Sequence, residues 1–210
     1  MAKLVLVRHG QSQWNEKGLW QGWQDIDLTE KGIEQAKEAG RQLKDIHFDY
    51  AYSSPLMRAS KTLDEILKEI GQSDLPVTKN QSMTEKNYGI FTGKNKWEVK
   101  EEVGEEEFQR IRRSWDYQTP EGESMKQVYE RLIPFYETEI LPKLKEGKNV
   151  IIASHGNTLR TLVKYLDNLS EDEVAKFEFG IGEGYLYDID QNGKVVSKDI
   201  RNKNPLAGKQ

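Results

Sequence analysis

The 210-residue chain reads as an α/β fold: three layers, α/β/α, with a mostly parallel central sheet flanked by helices. Two observations carry this reading. Apolar residues gather in short unbroken blocks, Leu4-Val5-Leu6-Val7 and Val150-Ile151-Ile152, and a strand without polar alternation is one buried on both faces, as in parallel sheets covered by helices. Between such blocks lie stretches with apolar residues at helical spacing, and strands that alternate with helices build layered domains. The length suits one domain, 1–210, with a helical insertion around 90–120.

In chain order, Lys3 to Arg8 is the first buried strand. A loop leads to a helix that begins near Thr29, an N-cap type, and sets Ile33, Ala36 and Leu43 on one face. Phe48 to Ser53 is the second strand. Ser54-Pro55 then offers an N-cap with proline at the first helical position, and the helix carries Ala59, Leu63, Ile66, Leu67 and Ile70 before Gly71 ends it. Pro76 to Lys79 is a short third strand. Lys94 to Trp115 is charged and helical, without a clear packing face. Ser124 to Lys145 has helical spacing at Met125, Val128, Leu132, Phe135 and Leu144, but Pro134 and Pro142 divide it into two joined pieces. Val150 to Ser154 is another buried strand, followed by a helix through Leu159, Leu162, Val163 and Leu166. Tyr185 to Asp188 and Lys194 to Lys198, joined through Gln191-Asn192-Gly193, form a terminal hairpin.

Composition excludes several classes of chemistry. There is no cysteine, so disulfides, thiolate metal sites and cysteine nucleophiles are ruled out. No apolar run approaches bilayer length and the N-terminus lacks a signal-peptide core, so no membrane partner is expected and the cytoplasm is the expected address. The formal net charge is −4 with both signs intermixed, which speaks against a nucleic-acid binder. A small anionic ligand needs only a local basic pocket. Gly180, Gly182 and Gly184 make a glycine-rich loop, but it does not join a first strand to a helix and no GxxxxGK[ST] is present, which disfavours a nucleotide fold.

Two of the three histidines occupy equivalent places. His9 ends the first strand as Arg8-His9-Gly10, and His155 ends a later one as His155-Gly156-Asn157. Open α/β sheets bind ligands beyond the carboxyl ends of their strands, so if these two strands are neighbours both imidazoles face one crevice. The following glycines permit tight turns and a close backbone approach to a ligand. One such pair alone would read as an ordinary polar strand end; two shift the balance to function. His47, between Ile46 and Phe48, reads as structural. Zinc would need a third ligand at fitting spacing, and no HExxH or HxH occurs. Arg8 repels a divalent cation but suits a phosphate. The site is built for an anion, and no metal is expected.

Leu6-Val7-Arg8-His9-Gly10-Gln11-Ser12 resembles the Arg-His-Gly signature of the histidine phosphatase superfamily. Trp14-Asn15, Gly22-Trp23, Asp27-Leu28-Thr29-Glu30-Lys31-Gly32, Ser53 to Ala59, Glu85, Tyr88-Gly89 and His155-Gly156-Asn157 follow in family order over nearly the whole chain. The nearest form is similar to the cofactor-dependent phosphoglycerate mutases of glycolysis. The resemblance implies a phosphoglycerate mutase-like fold and a phosphohistidine intermediate on His9. Its primer would be 2,3-bisphosphoglycerate and its substrates small phosphorylated three-carbon acids. Arg8, Arg58 and His155 would stabilise the phosphoryl charge, and Glu85 would be general acid and base. Asn15, Gln21, Gly22, Tyr88, Lys96, Arg112, Arg113, Gly156 and Asn157 would bind substrate. Family members differ in oligomeric state, so a homo-oligomer is compatible with it.

The same comparison separates two activities. Tyr88 to Lys96 and the pair Arg112-Arg113 resemble the mutase anchors. Gln11 stands where mutases usually carry glutamate, and Gln21 where they usually carry threonine. The stretch between Arg113 and Glu123 is a loop shorter, Pro120 to Ser124 resembles a segment of broad phosphatases, and the tail from Asn202 to Gln210 is short. The mutase is favoured, a phosphatase of small phosphomonoesters is the alternative, and an inactive phosphate-ligand sensor is a third. A mere binder needs neither nucleophile nor proton carrier.

Overall fold

Along β1 (Ala2–Arg8), Leu4 and Leu6 face one side of the sheet while Val5 and Val7 face the other, and all four are fully buried. This is the two-sided burial that the unbroken apolar block anticipates. The computed structural model describes residues 1–202; the remainder of the short tail, 203–210, lies outside the described residues. After β1 come α1 (Gln13–Glu16), α2 (Glu30–Arg41), β2 (Tyr50–Ser53), α3 (Met57–Glu69), β3 (Val77–Lys79) and α4 (Lys96–Arg113). The second half holds α5 (Met125–Phe135), α6 (Leu141–Lys145), β4 (Val150–Ser154), α7 (Gly156–Asp167), α8 (Glu171–Lys176), β5 (Gly184–Ile189) and β6 (Val195–Arg201).

The six strands form one sheet in the order β3-β2-β4-β1-β5-β6. The first four named run parallel, and β5 is antiparallel to both β1 and β6. One face packs Leu4, Leu6, Val150 and Ile152 against Leu132 and Ile133 of α5 and Leu159 and Leu162 of α7. The other packs Val5, Val7, Ile151 and Ala153 against Ala39 of α2 and Leu63, Ile66 and Leu67 of α3. Each fully buried aliphatic side chain contributes about 1.5–3 kcal/mol, so these two layers hold the strand ends rigidly. A third cluster, Trp20, Phe91, Val99, Phe108 and Ile111, stands apart from the sheet and carries α4.

Several element boundaries differ from expectation. Ser54 does not cap α3. Its hydroxyl accepts from the Leu56 amide one turn earlier, Pro55 stays outside the helix, and the Met57 amide instead donates to the Asp25 carboxylate at 2.6 Å. A distant loop thus supplies the cap, which local sequence does not reveal. The second strand begins at Tyr50, two residues late, although Phe48 is already buried. In α4 the chain breaks helical geometry at Gly104 (φ 81°), so its packing residues Val99, Phe108 and Ile111 belong to two differently aimed segments. The stretch from Ser124 to Lys145 does form two joined pieces, α5 and α6, but the join is itself helical. The chain passes through a π-helical turn, Tyr136–Ile140, with Pro134 inside α5 and Pro142 in the first turn of α6.

Candidate active site

Strands β1 and β4 are adjacent and in register, with Arg8 opposite Ser154, and the His9 amide donates to the Ser154 carbonyl at 3.0 Å. His9 and His155 therefore leave the sheet at the same level. Their rings lie 5.1 Å apart at 64° and both residues are buried. The crevice expected between two strand ends is present.

Backbone contacts fix the first loop. A Cβ on Gly10 would sit 2.1 Å from the Gly32 carbonyl oxygen, and a Cβ on Gly32 would sit 2.0 Å from that of Gln11. The loop after His9 thus rests directly on the first turn of α2, an approach that only glycine allows. His9 Nδ1 is 2.7 Å from the Gly10 carbonyl oxygen. A carbonyl only accepts, so Nδ1 carries the hydrogen and Nε2 keeps its lone pair.

Around this imidazole the cations are held by backbone. Arg8 donates to the Phe179 carbonyl at 2.6 Å, and Arg58 donates to Gln24 and Gly22 carbonyls at 2.7 and 2.8 Å. The Nε atoms of Arg8 and Arg58, and both ring nitrogens of His155, are buried without a hydrogen-bond partner in the protein. Unsatisfied buried polar groups are costly, and the two guanidinium Nε–H groups with the single N–H of a neutral His155 leave three donors beside the nucleophile for an anion's oxygens. Burial, reinforced by Arg58 and then Arg8, holds His9 well below its ordinary 6.5. Burial, then Arg58 and His9, does the same to His155. Burial also brings Arg58 down to about 10.

The loop bearing Glu85 is clamped from two sides. Arg131 of α5 donates to the carbonyls of Ser82, Thr84 and Glu85 at 2.7–3.0 Å and pairs with Glu123 at 2.8 Å. The Thr158 hydroxyl of α7 donates to the Thr84 carbonyl at 2.7 Å. Glu85 Oε1 accepts from the Lys86 amide at 2.8 Å and from the Asn157 amide at 3.2 Å, which ties it to the helix that follows His155.

The pocket beyond opens to solvent, and its empty space with that open solvent included is about 840 Å³. Every residue expected at the site lines it except His155, whose ring stands beside that of His9. Asn15 and Gln21 both hold the Ser12 hydroxyl through their side-chain oxygens, at 3.0 and 2.7 Å. The Gly22 carbonyl is a rest for Arg58. The Tyr88 hydroxyl accepts from the Asn157 side chain at 2.7 Å, and its ring packs edge-on to Trp20 at 4.4 Å. A side chain on Gly156 would sit 3.3 Å from the Arg8 guanidinium, so the glycine lets Arg8 lie against the start of α7. Burial, with Arg8 and Arg112 nearby, brings Lys96 down to about 8; burial, with Arg160 and Arg112, brings Arg113 down to about 9. His47 is exposed and distant from this pocket, and only its carbonyl is used, by Asn149.

The pocket also contains residues that sequence reading passed over: Leu19, Trp20, Arg160, Glu178, Phe179, Gly180 and Ile181. Arg160 donates to Asn157 Oδ1 at 3.1 Å and follows it by three residues on α7, a helical spacing that could have flagged it. The glycine-rich segment that fits no nucleotide motif is instead a wall of this pocket. It is braced by Glu183, whose carboxylate accepts from the Gly180 amide at 2.7 Å. Six lining side chains are basic (Arg8, Arg58, Lys96, Arg112, Arg113, Arg160) and two are acidic (Glu85, Glu178). A chain of net charge −4 thus carries a strongly positive pocket. Among the described residues no group of three His, Asp or Glu side chains could hold a metal ion, and no helix is long and apolar enough to cross a membrane.

Comparison with known proteins bears on the family and the fold. The family model for the histidine phosphatase superfamily (branch 1) matches residues 4–199. A protein of Parvibaculum lavamentivorans named 2,3-bisphosphoglycerate-dependent phosphoglycerate mutase is 46% identical over 199 residues, spanning 94% of this chain and 95% of its own length. The crystal structure of a phosphoglycerate mutase from Bacillus anthracis superposes with a TM-score of 0.73 at 28% identity, over 93% of this chain and 90% of that one. An alpha-ribazole phosphatase from Shigella flexneri superposes with a TM-score of 0.77 at 27% identity, over 92% and 93%.

Proposed function

The chain belongs to the histidine phosphatase superfamily, and from that premise we propose that it interconverts 3-phosphoglycerate and 2-phosphoglycerate as a 2,3-bisphosphoglycerate-dependent mutase. The observation that carries this reading is the pairing of a buried nucleophile site with a separate group of anchors. The unpartnered Arg8, Arg58 and His155 nitrogens beside His9 suit a phosphoryl group. Lys96, Arg112 and Arg113 line the same pocket and suit the carboxylate and second phosphate of a three-carbon acid.

In the forward step His9 Nε2 attacks phosphorus, the N–P bond forms, and the ester P–O bond breaks. Glu85 gives the leaving oxygen its proton. In return, Glu85 takes the proton of the acceptor hydroxyl as that oxygen attacks the phosphohistidine and the N–P bond breaks. Arginine and neutral histidine donors meet the charge on the equatorial oxygens. The primer, 2,3-bisphosphoglycerate, supplies the first phosphoryl group; the buried, unpartnered donors suit either of its phosphates. A cytoplasmic setting suits substrates of this kind.

A phosphatase reading draws on Pro120 to Ser124 and on the likeness to the alpha-ribazole phosphatase. One coupled assay separates the two: 3-phosphoglycerate conversion with and without 2,3-bisphosphoglycerate, in the presence of chelator, with phosphate release followed in parallel. Primer-dependent isomerisation that survives chelation is expected. Phosphate release without isomerisation would overturn the mutase reading.

A further inference from the structure

Arg113 is the last residue of α4, and Glu178 lies in the irregular segment between α8 and β5. The two form an ion pair across the pocket, with side chains 15% and 30% exposed. Arg113 also donates to the neighbouring Phe177 carbonyl at 3.5 Å. The other carboxylate in the pocket, Glu85, is held by two backbone amides beside His9. Glu178 instead neutralises one of the anchors on which the proposed function places the substrate's own carboxylate. It belongs to a segment outside the helices and strands whose backbone is nevertheless tied, the Phe179 carbonyl to Arg8 and the Gly180 amide to Glu183, while Arg113 ends a helix. Release of the pair is therefore a rotation of the Glu178 side chain alone.

We propose that Glu178 is an internal competitor of the substrate: a stand-in for its carboxylate that occupies Arg113 until a ligand carboxylate displaces it. This rests on the reading of Arg113 as a carboxylate anchor. The physical reason for such a residue is the charge of the pocket. Arg113 is crowded by Arg160 and Arg112 and desolvated, so an unliganded site without Glu178 would leave like charges facing one another. An anion without a carboxylate gains the phosphoryl cradle but does not release the pair. A phosphorylated carboxylic acid gains both. Exchange of one carboxylate for another keeps Arg113 compensated throughout, so Glu178 holds the empty site neutral and in doing so weakens only those ligands that must displace it.

The test is titration calorimetry with 3-phosphoglycerate and with inorganic phosphate, at about 0.15 M ionic strength so that charges more than ~8 Å apart are screened. Partly exposed ion pairs are weak, so Glu178→Gln should tighten 3-phosphoglycerate by about threefold or more and change phosphate binding by less. KM should fall with Kd while kcat does not rise, the sign of a binding rather than a chemical effect. In an Arg113→Gln background the Glu178→Gln gain should vanish. An unchanged or weakened Kd for 3-phosphoglycerate, an equal gain for phosphate, or a gain that persists without Arg113 would each overturn the proposal. Glu178→Ala gives the same comparison should the glutamine variant fold poorly. A wild-type protein that binds 3-phosphoglycerate yet only releases phosphate refutes the mutase reading and leaves this comparison intact; one that does not bind it refutes both.

Discussion

His9 Nδ1 and the Gly10 carbonyl oxygen are 2.7 Å apart within one buried turn, and this single contact decides which nitrogen of the imidazole is the nucleophile. The phosphoenzyme should carry its phosphoryl group on Nε2. Phosphorus–proton correlation NMR on the trapped intermediate distinguishes the two isomers; an Nδ1 adduct would mean that the turn opens before attack. His9→Ala should form no phosphoenzyme at all.

Both imidazoles are held neutral by burial and by Arg58, which sets a pH dependence of stability. The folded values lie below 6.5 while the unfolded chain titrates near 6.5. As pH falls below that point the unfolded state takes up protons that the fold refuses, so this stability is complete above it and lost below it. The loss is up to ~1.4 kcal/mol per pH unit for each histidine. Urea midpoints at neutral and mildly acid pH should show a shallower decline in His155→Asn than in the wild type; equal slopes would show that His155 titrates normally.

Lys96 loses its charge as pH rises through about 8. KM for 3-phosphoglycerate should therefore climb on the alkaline side with kcat less affected. Lys96→Arg should move that climb upward, since a guanidinium stays charged. A profile unmoved by the substitution would assign the titration elsewhere.

The Glu85 carboxylate is held by two backbone amides, so its replacement by an amide should disturb proton transfer more than binding. Glu85→Gln should lower kcat by roughly a hundredfold or more while KM stays within a few-fold. A large rise in KM at unchanged kcat would argue against a proton-transfer role.

The Gly10–Gly32 approach predicts an intolerant position outside the pocket lining. Gly32→Ala places a methyl group 2.0 Å from the Gln11 carbonyl oxygen. Overpacking against backbone should cost about 3 kcal/mol, read as a lower urea midpoint, and phosphoenzyme formation should slow because the same loop orients His9.

By itself the sequence determined the layers and the place of the chemistry. Two apolar blocks each ending in His-Gly required buried strands with imidazoles at their carboxyl ends, because periodicity and burial are properties of short segments. Arg58, Glu85 and the anchors Lys96, Arg112 and Arg113 came only through likeness to a family, since one arginine or glutamate among many carries no local mark. What tertiary structure alone decided are the contacts between distant segments. Asp25 rather than Ser54 caps α3. Arg131 holds the loop of Glu85 from more than forty residues away. A glycine-rich stretch that matched no motif supplies a pocket wall, and Glu178 meets Arg113 across it. Such pairings depend on where whole elements come to rest, and that is settled by packing of the two cores against the sheet rather than by any neighbouring residue.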